Sequence, residues 1–253
     1  MPDELKNLAL DNIRTLLETL REYTLPLVAM KEGKPYPKRC ASGFLIERNT
    51  KYYVLSAAHA ICKDQWYIEW DVFKDHKHPG IQIPLRSTWS IFASINTTSS
   101  KVEAVDFAWA EIDTDKIREQ VKKDDMLQGM KLTLPLYKGP MNEAPDQNMP
   151  YSFHAMTQPT IEEHPTALIL ERKSAYETEM EYRGKDEKTG LYKFHLARPH
   201  QGHKYYKGAS GAPIADPTGK IVSMVCRGSK KTNEIFGIAL PEYERMIGKE
   251  PAL

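Results

Sequence analysis

Residues 207–213 read Lys-Gly-Ala-Ser-Gly-Ala-Pro, and the turn Asp216-Pro217-Thr218-Gly219 then leads into the strand-like run KIVSMVC at 220–226. Glycine adopts backbone conformations closed to other residues, so Gly208 and Gly211 let the chain turn sharply on either side of Ser210. A sharp turn exposes the hydroxyl and aims neighbouring N–H groups at one point, which is what an acyl-transfer nucleophile needs. On its own a Gly-Ala-Ser-Gly stretch is more often a plain turn. Its meaning therefore depends on what the rest of the chain supplies.

Two other stretches bear on it. In YVLSAAH at 53–59 an apolar strand ends in small residues followed by a histidine. Small residues let the chain fold tightly behind the ring, so the His59 imidazole can project into a cleft; a lone histidine at a strand end is otherwise usually structural. In VDFAWAEI at 105–112 a carboxylate, Asp106, opens an apolar strand, where burial is costly unless a donor meets it. His59 is the natural donor.

In chain order, GFLI at 43–46, SAAH at 56–59, DFA at 106–108 and GASGAP at 208–213 resemble the motifs of the trypsin-like, chymotrypsin-fold serine peptidase family. The order His, Asp, Ser is that of this family and differs from the subtilisin and α/β-hydrolase orders. The resemblance spans roughly residues 40–245. It implies an all-β protein with terminal helices, built as two six-stranded antiparallel β-barrels of chymotrypsin type with the active site in the cleft between them. It also implies His59, Asp106 and Ser210 as a catalytic triad, with the backbone N–H groups of Gly208 and Ser210 as the oxyanion hole. Ser223, Met224 and Val225, with Gly237 in FGIALP at 236–241, are the substrate-binding residues it implies. Lys204–Lys207 and Phe236–Ile238 fall around its specificity pocket without a carboxylate, so cleavage after Arg or Lys is disfavoured and a neutral or acidic residue is expected. Neither a cofactor nor a metal is implied.

The chain also departs from the secreted digestive members. Ala60 stands where they carry a cystine, and Ala209 precedes the nucleophile in place of aspartate; the new-terminus sequence of their zymogens is not evident. In these respects it is closer to bacterial HtrA-like and other single-chain trypsin-like peptidases.

Outward from the motifs, Leu5, Leu8, Ile13, Leu16, Leu17 and Leu20 recur at helical spacing, predicting an amphipathic helix over residues 3–21, in a leading unit of residues 1–24. Packing on its own chain is the plain reading; binding a regulatory protein partner or a second copy is the other. Short β-branched and aromatic runs follow at 42–47, 52–56, 66–72, 102–112 and 130–136, within a first barrel over 25–137. A proline-rich linker is expected at 138–150. Further runs at 166–170, 177–183, 192–197, 220–226 and 234–240 belong to a second barrel over 151–253, with a hairpin tip at 184–190 and a short helix from Pro241.

With 253 residues, 41% of them hydrophobic, the chain can form one large or two small cores. Lys plus Arg (35) balances Asp plus Glu (34), so no global field draws it to nucleic acid or to an anionic membrane. No apolar run approaches the ~20 residues of a membrane span. Cys40, Cys62 and Cys226 are too few for a disulfide framework and the N-terminus has no secretory pattern, so a reducing, cytoplasmic location is expected. His195, His200 and His203, like His76 and His78, lack metal-ligand spacing and read as solvated loop histidines. Three functions remain in play: an endopeptidase acting on protein or peptide, a catalytically silent trypsin-fold binding module, and a non-peptide esterase.

Overall fold

A computed structural model of the chain describes residues 3–30, 32–34, 36–62, 64–70, 81–85, 88–96, 101–115, 135–164, 167–171 and 173–248. The expected run at 130–136 lies outside them except for its end, and so do His76 and His78.

Helix α1 (Asp3–Tyr23) is followed by β1 (Leu25–Met30), β2 (Pro37–Arg48), β3 (Lys51–Ala57), β4 (Trp66–Trp70), β5 (Ile81–Pro84), β6 (Thr88–Asn96), β7 (Lys101–Ile112) and β8 (Leu136–Tyr137). They form one sheet in the order β5-β4-β1-β2-β3-β7-β6, antiparallel except that β8 pairs parallel with β2. Among the described residues this sheet forms a half-barrel, which with the closed second barrel gives the expected mostly β, two-barrel architecture. The β1–β2 and β6–β7 ladders each shift register once, at Ala29/Met30 and Ile91/Ala93, and such bulges bend a sheet as they break its pairing.

The second unit does close. Strands β9 (Pro150–Met156), β12 (Ser174–Lys185), β13 (Tyr192–His195), β14 (Pro213–Ala215), β15 (Ile221–Ser229) and β16 (Glu234–Ala239) form a barrel in the order β12-β13-β16-β15-β14-β9, while β10 (Thr160–His164) and β11 (Ala167–Glu171) stand off it as a hairpin. In β12 buried and exposed residues largely alternate, as a strand with one wet face requires. The first six residues of β15 are all buried because this strand faces the barrel core on one side and the first sheet on the other. Ile221, Met224 and Cys226 join the first sheet's core; Val222 and Val225 fill the barrel's.

Residues 138–149 contain no strand or helix, yet they are not a loose spacer: Met141 and Pro145 are buried, and the Tyr137 hydroxyl donates to Pro140 O (2.9 Å) and accepts from Ile221 N (3.0 Å). Helix α1 lays Leu16 and Leu20 inward while Asn12, Arg14, Thr15 and Glu18 stay exposed, and it packs across β9 and β14 of the second barrel. For residues 11–23 this is the plain reading of the amphipathic pattern: the apolar stripe packs on the chain's own body, where Leu16 and Leu20 join the first sheet's core. No helix is long and apolar enough to cross a membrane among the described residues.

Candidate active site

β3 ends at Ala57 and the chain enters a single helical turn, Ala58–Ile61. Ala57, Ala58 and Ala60 are buried, so the turn lies close on the sheet and leaves His59 as its exposed member. In the β3–β7 ladder Ala57 pairs with Phe107, which puts Asp106 beside the start of that turn. The His59 backbone N–H donates to Asp106 Oδ1 (2.7 Å), and His59 Nδ1 hydrogen-bonds to Asp106 Oδ2. The other ring nitrogen, Nε2, lies 3.0 Å from Ser210 Oγ. With Nδ1 facing a carboxylate, the network assigns the ring proton to Nδ1 and a lone pair to Nε2.

Ser210 sits in the turn that the flanking glycines permit. Gly208 and Gly211 have φ of +103° and +91°. The turn is anchored through its carbonyls: Lys207 O accepts from Gln158 N, Gly208 O from Ser42 Oγ, Ala209 O from Ala212 N and Ser210 O from Ser42 N, each at 2.9 Å. In a trans peptide the N–H points away from the carbonyl before it, so these bonds turn the N–H groups of Gly208 and Ser210 the opposite way. Among the described residues neither N–H has a protein partner.

Cys226 is a site residue that the sequence reading passed over. It lies where the β15–β16 ladder shifts register between Val225 and Arg227. Its carbonyl is 3.2 Å from Ser210 Oγ, and its thiol donates to Asp106 Oδ2 (3.2 Å). Burial, reinforced by the adjacent Asp106 carboxylate, pushes the thiol pKa far up, so the sulfur carries its proton. The only sequence signal was a cysteine ending an apolar run, which reads equally as core.

Ser223, Met224, Val225 and Gly237, the expected substrate residues, are not among those that line the cavity beside His59. Ser223 is fully buried with Oγ donating to Ile238 O (2.8 Å), and Met224 and Val225 are core residues. A side chain on Gly237 would meet Ser223 Oγ at 2.2 Å. The cleft wall is instead formed one to two residues further along β15: a cavity of about 340 Å³ is lined by His59, Asp106, Thr189, Leu191, Cys226 and Arg227. His200, expected to be solvated, is buried. Its Nδ1 accepts from Gly202 N (3.0 Å), leaving a proton on Nε2, which has no partner among the described residues. That nitrogen lies 2.5 Å from where a Cβ on Gly228 would stand.

No family model and no curated protein sequence matches the chain. Solved structures do. Human heparin binding protein aligns over 92% of this chain and 94% of its own at 10% identity, with a TM-score of 0.56. Neuropsin, a serine protease expressed in the limbic system of mouse brain, aligns over 90% and 94% at 13% identity, with a TM-score of 0.53. A protein described as GrC aligns over 90% and 93% at 12% identity, with a TM-score of 0.56. By its sheets and by these likenesses, the chain has the chymotrypsin-type fold of the trypsin-like serine proteases.

Proposed function

We propose that the chain is a serine endopeptidase in which Ser210, His59 and Asp106 act as nucleophile, base and orienting carboxylate. Ser210 Oγ attacks the scissile carbonyl as its proton passes to His59 Nε2, and Asp106 stabilises the resulting imidazolium. The negative oxygen of the tetrahedral intermediate is received by the N–H groups of Gly208 and Ser210, each typically worth about 2.7–4 kcal/mol. His59 then gives its proton to the leaving amine, and a water activated by the same imidazole releases the acyl group and restores Ser210.

The observation that carries this reading is the continuous relay from Ser210 Oγ through both His59 ring nitrogens to Asp106, next to a turn whose carbonyls are all tied and whose two N–H groups are not. A binding module that never turned over substrate would need no such unpaired donors. The fold alone does not choose, since its likenesses include a protein named for heparin binding as well as a serine protease.

The test is labelling by a fluorophosphonate probe together with hydrolysis of a peptide library. The native chain is expected to be labelled at Ser210 and to cut peptides. Ser210→Ala, His59→Ala and Asp106→Asn should each lose most turnover while keeping the native circular dichroism, and double mutants should be little worse than single ones. Full activity in Ser210→Ala would refute the mechanism; labelling with ester but no peptide turnover would favour the esterase. In the library, Arg and Lys are expected to be poor at the cleaved position.

A further inference from the structure

We propose that His59 Nδ1, Asp106 Oδ2 and Cys226 Sγ form an inhibitory site for a zinc-class divalent cation. The three donor atoms lie within 4.8 Å of one another. The Nδ1–H and the S–H both point at the same oxygen, Asp106 Oδ2, so one cation can take the place of two hydrogens. The other carboxylate oxygen is held by the His59 backbone N–H at 2.7 Å, which fixes the carboxylate much as outer-shell partners fix metal ligands. All three residues line the cleft cavity of about 340 Å³, which gives a path in and room for a water as the fourth ligand.

Donor chemistry selects the cation. One imidazole, one carboxylate and one thiolate suit zinc or cobalt, whereas calcium and magnesium favour oxygen ligands. The bound site is neutral, because a doubly charged cation meets one carboxylate and one thiolate. Protons balance as follows: the thiol proton leaves to solvent, and the imidazole proton moves from Nδ1 to Nε2 because Nδ1 now donates its lone pair to the metal. Nε2 then carries a hydrogen and cannot accept the proton of Ser210. Nδ1 and Oδ2 move apart from hydrogen-bond contact to admit the cation, which switches the base off by fixing the wrong tautomer. The inhibitory effect rests on the peptidase reading; the binding does not.

The test separates the two. Cobalt is titrated into the Ser210→Ala chain, which needs no activity. The expected result is one cobalt per chain with a near-ultraviolet thiolate-to-cobalt band, displacement by zinc, release of one proton, and no competition from calcium or magnesium. Adding Cys226→Ser should remove the band and weaken binding by at least the about 100-fold that loss of an outer-shell partner can cost, with Cys40 and Cys62 still present as controls. If that variant does not fold, His59→Ala, altering an exposed side chain, should weaken binding likewise. A band that survives Cys226→Ser, or binding unchanged in His59→Ala, overturns the site. In the native chain zinc should block probe labelling of Ser210 in step with occupancy, and labelling that persists at saturating zinc overturns the inhibitory role. If cobalt binds as expected while the metal-free native chain is never labelled, the cation site stands and the peptidase reading fails.

Discussion

Ser42 Oγ donates to Gly208 O across 2.9 Å, so a side chain of the first sheet holds the peptide that joins the two N–H groups of the Ser210 turn that are unpaired among the described residues. The same residue donates its backbone N–H to Ser210 O (2.9 Å), and its carbonyl accepts from Ser56 Oγ (2.7 Å). Ser42→Ala leaves Gly208 O without its side-chain donor, a loss of about 1–3 kcal/mol. It is expected to lower kcat about tenfold or more with KM little changed, and to weaken a peptide boronate more than a ground-state peptide, because the loosened turn is needed most when the oxyanion forms. An unchanged kcat would remove Ser42 from the machinery.

Gly211 is pressed against the same clamp. A Cβ there would stand 2.1 Å from Ser42 O and 2.3 Å from Ser56 Oγ, at φ +91°. Gly184 has a similar φ of +84° but nothing within 4 Å. Gly184→Ala should therefore cost only the backbone strain, about 1–2 kcal/mol. Gly211→Ala should cost more than about 4 kcal/mol or prevent folding. Denaturant midpoints compare the two, and equal losses would show that the clamp gives way freely.

Ala209 bears on how the proposed activity would be controlled. It is buried, with its N–H donating to Tyr206 O (2.9 Å), and it offers no carboxylate to a newly cut N-terminus. An ammonium inserted beside it would be buried without a partner, at a cost of several kcal/mol. Probe labelling of Ser210 is thus expected in uncut protein, confirmed by mass, and cleavage in the exposed turn at residues 32–34 should not raise it. Labelling that appears only after the cut would restore a zymogen mechanism.

His154 links α1 to the second barrel and makes their union sensitive to acid. Burial, aided by Arg21, lowers its pKa from 6.5 to about 4. Between those values the unfolded chain binds more protons than the folded one, so stability is full above pH 6.5 and falls as pH drops toward 4, by about 3 kcal/mol in all. Thr24 Oγ1 meets the His154 backbone carbonyl (2.9 Å), which His154→Leu retains. That variant should flatten the difference in denaturant midpoint between pH 7 and pH 4.5. A slope identical to the native one would assign the effect to other groups.

Local chemistry explains which parts of this protein could be read in advance. The sharp turn at Ser210 needs glycines, the tight turn at His59 needs alanines, and α1 needs its leucines at helical spacing; each requirement is written within a few residues. Cys226 and His200 were not legible in that way. A cysteine closing an apolar strand and a histidine in a polar loop carry no local mark of the partners they meet, which come from β7, β15 and the 202–206 turn.

By itself the sequence marked α1, a series of β-like runs and the turn residues around His59 and Ser210, because these follow from local backbone preferences and side-chain periodicity. The two-barrel architecture came from the resemblance of its motifs to the trypsin-like family, and β1, β5, β6, β9, β10 and β14 were not marked. Only the tertiary structure decided that the second sheet closes while the described first sheet does not, and that the bulge at Val225/Arg227 brings Cys226 to Asp106. It also decided that Ser42 reaches across the sheets to Gly208. These depend on strand register and on the docking of one sheet against another, where a shift of a single residue turns a side chain to the opposite face.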